Sequence, residues 1–382
     1  MSGASVTRAR NPLLELRALG QQAWLDHIER GMLESGELAE LIERFALGGL
    51  TSNPTIFAAA LEGERYDADI ARLARAGLAT TEVYDRLVLD DIAAAAALFA
   101  ARYAASNGAE GYVSIEVSPR LAHDTAGTIA EAERIWRALA RPNVMIKVPG
   151  TPEGMAAIRE LIARGINVNV TLLFSLERYR EAADAYIEGL EQAAASGREL
   201  ESIASVASFF LSRIDVAVDP QLDVLIAERG NAAREAKALR GETAIAKAKR
   251  AYAMYGQLFA AKRFGKLAAK GARPQRLLWA STGTKNPNDS DVKYVEALIG
   301  PDTINTMPLA TLRAYADHGD PAPRLQQNLA EAAEVLKRLR ALGIDLSEVT
   351  ARLLAEGVAK FEASYDAGLA AVERKRKRQL AS

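Results

Sequence analysis

Eight short apolar runs in this chain end in, or lead into, polar residues, and those endings are where chemistry could sit. Asp26 closes "AWLD" (23–26). Thr51 ends "LGGLT" (47–51), with Ser52 and Asn53 next. Glu116 lies in "GYVSIEV" (111–117) and Lys147 in "NVMIKV" (143–148). Asn169 and Thr171 lie in "INVNVTLL" (166–173). Ser208 lies in "IASVASFF" (203–210), with Arg213 just beyond. Ser281 and Thr282 end "RLLWAST" (276–282), with Lys285 nearby, and "DTINTM" (302–307) is the eighth run. One amine, two carboxylates, two amides, several hydroxyls and two further cations are more than a structural rim requires.

Lys147 is the most informative of these. A lysine inside an apolar strand loses hydration, and no neighbour in sequence neutralises it. It is a nucleophilic amine, a snorkelling side chain, or half of a buried ion pair. As a nucleophile it must be neutral, a form favoured by desolvation or by a second cation nearby. The apolar neighbours of Lys147 would supply the first. A neutral lysine attacks ketones and aldehydes to form a Schiff base, whose protonated imine stabilises an adjacent carbanion as an enamine. Aldol cleavage by that route needs a base for a hydroxyl proton and a proton shuttle for dehydration, tasks that suit Asp26 and Glu116. On the residues alone, a Schiff-base enzyme, a metal-dependent or other barrel enzyme, and a purely structural lysine all stay open.

The elements that must position these groups alternate. Short strand-like runs are separated by longer amphipathic stretches, which implies βαβ units and a parallel sheet. Eight such units close into a (β/α)8 TIM barrel, whose catalytic groups gather at the C-terminal ends of the strands. Strand alternation then sets direction: if Val144, Ile146 and Val148 face the helices, Asn143, Met145 and Lys147 face the barrel interior. Asn169 and Thr171 likewise share a face. Helical periodicity is clear at residues 34–47, where Leu38, Leu41, Ile42 and Phe45 line one side, and at 125–140 and 175–196. Residues 80–106 are long enough for two helices or one very long one. "TPEGMAAIRELIARG" (151–165) starts with Thr151 as N-cap and Pro152 at the first helical position. Residues 215–275 exceed one crossover and imply additional helices, for example 242–265, and 324–378 form a helical C-terminal segment. No linker or fixed-period repeat divides the chain, so one domain over 1–382 is expected.

Composition narrows the classes further. The 382 residues are 49% hydrophobic and 25% charged, with net charge −1 and no cysteine. That balance is ordinary for a globular protein and excludes disulfides, thiolate catalysis and Cys-type zinc sites. It gives no general pull on nucleic acid or a membrane surface. No signal peptide or membrane span is expected, which makes the cytosol the default compartment. The three histidines, His27, His123 and His318, are not at metal-ligand spacing, and no metal site is expected.

The motifs "GLTSNPTIF" (49–57), "SIEVSPRLAHDT" (114–125), "VMIKVPGTPEG" (144–154), "GINVNVTLLFS" (165–175), "SVASFFLSRID" (205–215) and "LLWASTGTKNP" (277–287) resemble the transaldolases in order and spacing. The likeness runs from about Asp26 to about Met307 and looks like the larger bacterial form of the family. It implies a barrel of the class I aldolase type that moves a dihydroxyacetone unit between sugar phosphates in the pentose phosphate pathway, with no cofactor, acting as a monomer or homodimer. Lys147 would be the Schiff-base lysine and Asp26 the base at the ketose C4 hydroxyl. Glu116, through a water and with Thr171, would serve carbinolamine formation and dehydration. Asn53 and Asn169 would hold hydroxyls of the retained unit, and Ser208 would line the same pocket. Arg213, Ser281 and Lys285 would bind the phosphate. Transaldolases have an arginine near the position of Lys285, and "AWLDHI" departs from the short forms around Asp26. The related fructose-6-phosphate aldolases are shorter and carry Gln at the place of Glu116 and Tyr at that of Phe210, so both residues point to transfer over release of free dihydroxyacetone. A non-catalytic sugar-phosphate-binding barrel is the third reading.

Other features read plainly. His27 is expected to point away from Asp26, and His123 to be a loop or packing residue. Trp24, Trp136 and Trp279 are expected to pack between helices and strands. "ERKRKRQ" (373–379) reads as a solvated, frayed helix end, and "SGASVTRA" (2–9) as a disordered start.

Overall fold

A computed structural model describes residues 11–381 of the chain; the start expected to be disordered lies outside the described residues. Helix α1 (Pro12–Ala18) precedes strand β1 (Gln21–Asp26), followed by α2 (Arg30–Glu34), α3 (Glu37–Phe45), β2 (Gly49–Thr51), α4 (Pro54–Glu62), α5 (Asp67–Arg75) and α6 (Thr80–Ala105). Then come β3 (Tyr112–Glu116), α7 (Thr125–Leu139), β4 (Val144–Pro149), α8 (Pro152–Ala163), β5 (Val168–Leu173), α9 (Leu176–Ala195) and β6 (Ser205–Phe210). Four helices, α10 (Ser212–Ala227), α11 (Asn231–Leu239), α12 (Thr243–Phe259) and α13 (Lys262–Ala268), lead to β7 (Arg276–Ala280). The chain closes with α14 (Lys293–Glu296), β8 (Thr303–Met307), α15 (Leu309–His318), α16 (Leu329–Ala341) and α17 (Leu346–Ala381).

The eight strands form a closed barrel in sequence order, every pairing parallel, β8 returning to β1. All eight expected strands are present. The chain is therefore a (β/α)8 barrel with additional helices. The expected register also holds. Glu116 pairs with Lys147 and Lys147 with Asn169, so adjacent strands bring those side chains together on the interior face.

The alanine-rich stretch is one helix, α6, whose first turn is closed by the Glu82 carboxylate accepting from the Ala79 N–H at 2.7 Å. Its apolar face, including Val83, Leu87, Ile92 and Phe99, is buried, so propensity and packing agree along its length. The stretch at 242–265 divides instead into α12 and α13, breaking at residues 260–261. The inserted helices are tied down by Asp215, whose Oδ1 accepts from the Ala244 N–H at the start of α12 (2.8 Å) and whose Oδ2 accepts from the Tyr294 hydroxyl (2.7 Å). Burial raises this carboxyl to about 6 against those bonds. Trp24 and Trp279 are fully buried and Trp136 half-buried, as packing residues should be.

The basic C-terminus corrects the expectation of a frayed end. Lys375 is buried, reaching Asp67 at 2.6 Å and the Gly63 carbonyl at 2.5 Å. Arg374 pairs with Glu62 at 2.6 Å, and Arg376 donates to the Leu78 carbonyl at 3.0 Å. These cations find carboxylates and helix-end carbonyls on the α4–α5 region, so α17 lies docked across the barrel.

Candidate active site

Strand β4 carries Lys147 to the C-terminal mouth, and the next turn holds it there. Thr151 caps α8, its Oγ1 accepting from the Gly154 N–H at 3.0 Å and donating to the Ala122 carbonyl at 2.5 Å. A Cβ at position 154 would stand 2.1 Å from the Pro149 carbonyl oxygen, so the first turn of α8 can close against the strand end only with glycine there. Lys147 is 4% exposed. Its Nζ donates to the Ser52 carbonyl at 2.7 Å and lies 3.4 Å from Glu116 Oε1. The surroundings of the amine thus differ from the expected apolar shell. Its near charged neighbour is a carboxylate, with a peptide oxygen beside it.

Among the described residues neither carboxylate oxygen of Glu116 has a hydrogen-bond partner. Burial raises its pKa to about 6, the Lys147 charge opposing the rise and the Asp26 charge adding to it. An acid so placed can both give and take a proton near neutrality. Asp26 is also raised, by burial, with Lys147 and the Thr51 hydroxyl opposing. Thr51 Oγ1 donates to Asp26 Oδ1 at 2.7 Å and meets Thr306 Oγ1 at 2.7 Å, so a hydroxyl relay across β2 and β8 orients the carboxylate.

Asp26, Thr51 and Lys147 floor a cavity of about 490 Å³, a size that suits a small-molecule site. Asp26, Asn53, Lys147, Thr171, Ser208 and Arg213 line it, with Ser281 and Lys285 at the mouth. Glu116 stands behind Lys147 and faces a smaller cavity on its other side. Asn169 lies beneath the floor, fully buried, accepting from Ser208 Oγ at 2.6 Å and donating to Ser114 Oγ at 3.1 Å. It holds Ser208 rather than lining the cavity. Asn53 caps α4, its Oδ1 accepting from the Ile56 N–H at 3.1 Å, and its amide nitrogen has no partner among the described residues.

The rim carries backbone tension. Leu172 takes φ of 59° where the β5–β6 register shifts, and Ser281 takes φ of 55° at the end of β7. The left-handed region disfavours both side chains. The bulge re-aims the end of β5, leaving Thr171 Oγ1 in the cavity wall without a hydrogen-bond partner among the described residues. Ser281 Oγ bridges to Ser212 Oγ at 2.9 Å, joining the end of β7 to the start of α10.

Some contributors escaped the sequence reading. His27, expected to point away, lines the cavity with Asp26. His123 is exposed, 3.2 Å from Glu153. Thr306, Lys360 and Phe361 also line the cavity, beside Phe210, which the sequence already singled out. Thr306 could have been found from strand alternation in "DTINTM". Lys360 and Phe361 come from α17, far along the chain, and local pattern does not announce them. Among the described residues no group of three or more His, Asp or Glu side chains could hold a metal ion, and no helix is long and apolar enough to cross a membrane.

Residues 23–372 match the family model described as transaldolase/fructose-6-phosphate aldolase. The chain is 48% identical over 374 residues to Transaldolase 2 of a Nostoc species, covering 96% of this chain and 98% of that protein. It is 48% identical over 359 residues to the transaldolase of Thiobacillus denitrificans, covering 94% and 98%. It is 50% identical over 349 residues to the transaldolase of Saccharopolyspora erythraea, covering 91% and 93%.

Proposed function

This chain belongs to the transaldolase/fructose-6-phosphate aldolase family and is an enzyme of the transaldolase kind, and from that premise we propose that it transfers a dihydroxyacetone unit between sugar phosphates through a Schiff base on Lys147, with the whole chain forming one catalytic unit. The observation that carries this reading is the 3.4 Å approach of Lys147 Nζ to a Glu116 carboxylate poised near 6.

Lys147 gives a proton to Glu116 and attacks the C2 carbonyl of a ketose phosphate such as fructose 6-phosphate or sedoheptulose 7-phosphate. Glu116, acting through a water with the Thr171 hydroxyl, returns the proton so that the carbinolamine loses water and the iminium forms. Asp26, oriented by Thr51, takes the C4 hydroxyl proton. The C3–C4 bond breaks, an aldose phosphate leaves, and its electron pair enters the iminium as an enamine. Asn53 and Ser208 hold hydroxyls of the retained unit, with Asn169 orienting Ser208. Arg213, Ser281 and Lys285 hold the phosphate. The enamine then adds to glyceraldehyde 3-phosphate or erythrose 4-phosphate, and hydrolysis frees Lys147.

Transfer is favoured over simple aldolase release by two residues. Glu116 stands where the aldolases of the family carry Gln, and Phe210 lines the cavity where they carry Tyr. Phe210 offers no phenolic proton to quench the enamine. Borohydride reduction in the presence of fructose 6-phosphate should leave a mass adduct on Lys147. A wild-type protein without that adduct, or a Lys147→Ala protein with it undiminished, overturns the Schiff-base reading. Formation of sedoheptulose 7-phosphate on adding erythrose 4-phosphate distinguishes transfer from release.

A further inference from the structure

The mouth of the cavity collects cations from two separate parts of the fold. Arg213 follows β6 and Lys285 follows β7, while Lys360 comes from α17, outside the β/α repeat. Among the described residues no carboxylate forms an ion pair with any of the three. Grouping like charges without a counter-ion is unfavourable, which marks such a cluster as a place for an anion. Burial and the neighbouring charges of Arg213 and Lys285 pull the Lys360 ammonium below the ordinary lysine range. An exposed lysine with no function would swing away from two other cations; this one lines the cavity with them.

The helix that carries Lys360 is closely fitted at this point. Gly357, Lys360, Phe361, Ser364 and Gly368 fall on one stripe at helical spacing. The Arg213 guanidinium carbon lies 5.3 Å from the Phe210 ring centroid and 5.9 Å from that of Phe361, so the C-terminal helix completes an aromatic clamp on the arginine. A Cβ at Gly357 would stand 3.0 Å from Leu172 Cδ2 and 3.6 Å from Arg213 Nη1. Ser364 meets Thr55 at 2.9 Å, and Tyr365 packs edge-on to Tyr84 with centroids 5.1 Å apart. The docked cations beyond Glu373 fix the far end of the same helix.

We propose that α17 is a wall of the substrate site and that Lys360 supplies the third cation of a cup, with Arg213 and Lys285, that binds the phosphate of a sugar-phosphate substrate. This rests on the reading above that the cavity takes phosphorylated sugars, and it adds a specificity residue from the C-terminal segment. Three cations suit a phosphate dianion, with Arg213 flanked by its two rings and the lysines acting as point charges.

The test uses the full-length chain with Lys360→Gln and Lys360→Arg. Calorimetry with inorganic phosphate should show affinity about 10-fold weaker in Lys360→Gln and largely restored in Lys360→Arg. The ratio of kcat/KM for fructose 6-phosphate over fructose should fall by a similar factor in Lys360→Gln, through KM. Phosphate affinity equal to wild type in Lys360→Gln, no phosphate binding by wild type, or an unchanged substrate ratio each overturns the proposal. The Lys147 adduct at saturating fructose 6-phosphate, measured on wild type, judges the Schiff-base reading separately, because phosphate calorimetry needs no imine.

Discussion

Two cavities of about 490 Å³ each end on a buried lysine, and they are not alike. At the barrel mouth Lys147 lies 3.4 Å from Glu116, near Asp26, with hydroxyls and cations around the opening. Between α9, α12, α16 and the start of α17, Lys247 is 5% exposed and has no hydrogen-bond partner among the described residues. Burial pulls its ammonium down to about 8, with only the charge of Glu177 opposing. Burial here shifts a lysine that has no acid within hydrogen-bonding reach among the described residues. Lys147 differs in having an acid on the adjacent strand, in register and 3.4 Å from its amine. Both amines are buried; their neighbours separate them.

That contrast can be broken by substitution, and the largest effect is expected at Lys147. Lys147→Ala should lower transfer at least about 10^4-fold and abolish the trapped adduct, whereas Lys247→Met keeps both. Comparable losses in the two variants would erase the distinction. Next, Glu116→Gln should lower kcat roughly 10²- to 10⁴-fold. In the wild type, activity should fall as pH drops through about 6, because a protonated Glu116 cannot take the proton that Lys147 must lose. A pH–rate profile in which Glu116→Gln keeps that acid limb would assign it to another group.

Lys247 should act on stability instead. Its folded pKa is lowered from 10.5 to about 8, so charging it costs stability below about pH 8, a cost that fades as pH rises toward 10.5. Lys247→Met should therefore stabilise the protein at pH 7, by on the order of 3 kcal/mol, with the gain shrinking above about pH 8 and largely gone by pH 10.5. Denaturant titrations at the two pH values check the sign; a destabilised variant at pH 7 contradicts it. The smallest effect concerns Asp345, whose Oδ1 accepts from the Ser347 and Glu348 N–H groups at 2.8 and 3.2 Å where α17 starts. Asp345→Ala should cost about 1 kcal/mol in thermal melts and leave kcat as it was. A fall in kcat would mean that the start of α17 governs its position over the active site.

The barrel was legible because each of its units is local. Period-2 runs and period-3.6 stretches identify strands and helices within a few residues, and alternation aims Lys147 inward without knowledge of the rest of the chain. The N-cap at Thr151 and the convergence of Asp26, Asn53, Thr171, Ser208, Arg213, Ser281 and Lys285 on one cavity follow from that order and the closed sheet. What failed was orientation off the regular pattern. Asn169 turned out to sit beneath the cavity because Ser114 and Ser208 bind its amide. His27, just past the end of β1, turned into the cavity. The basic terminus looked solvated because its carboxylates and carbonyls come from residues about 300 positions earlier, with Lys375 and Gly63 separated by 312.

By itself, then, the sequence determined the element order, the inward face of β4 and the set of groups brought to the mouth, since backbone periodicity and strand pairing act between near neighbours. Tertiary structure decided that the amine rests against a carboxylate and not a purely apolar shell, that one buried lysine has hydrogen-bond partners and the other has none among the described residues, and that α17 returns across the barrel to set Lys360 and Phe361 beside Arg213. Those outcomes depend on contacts between residues distant in the chain, which only the closed fold brings together.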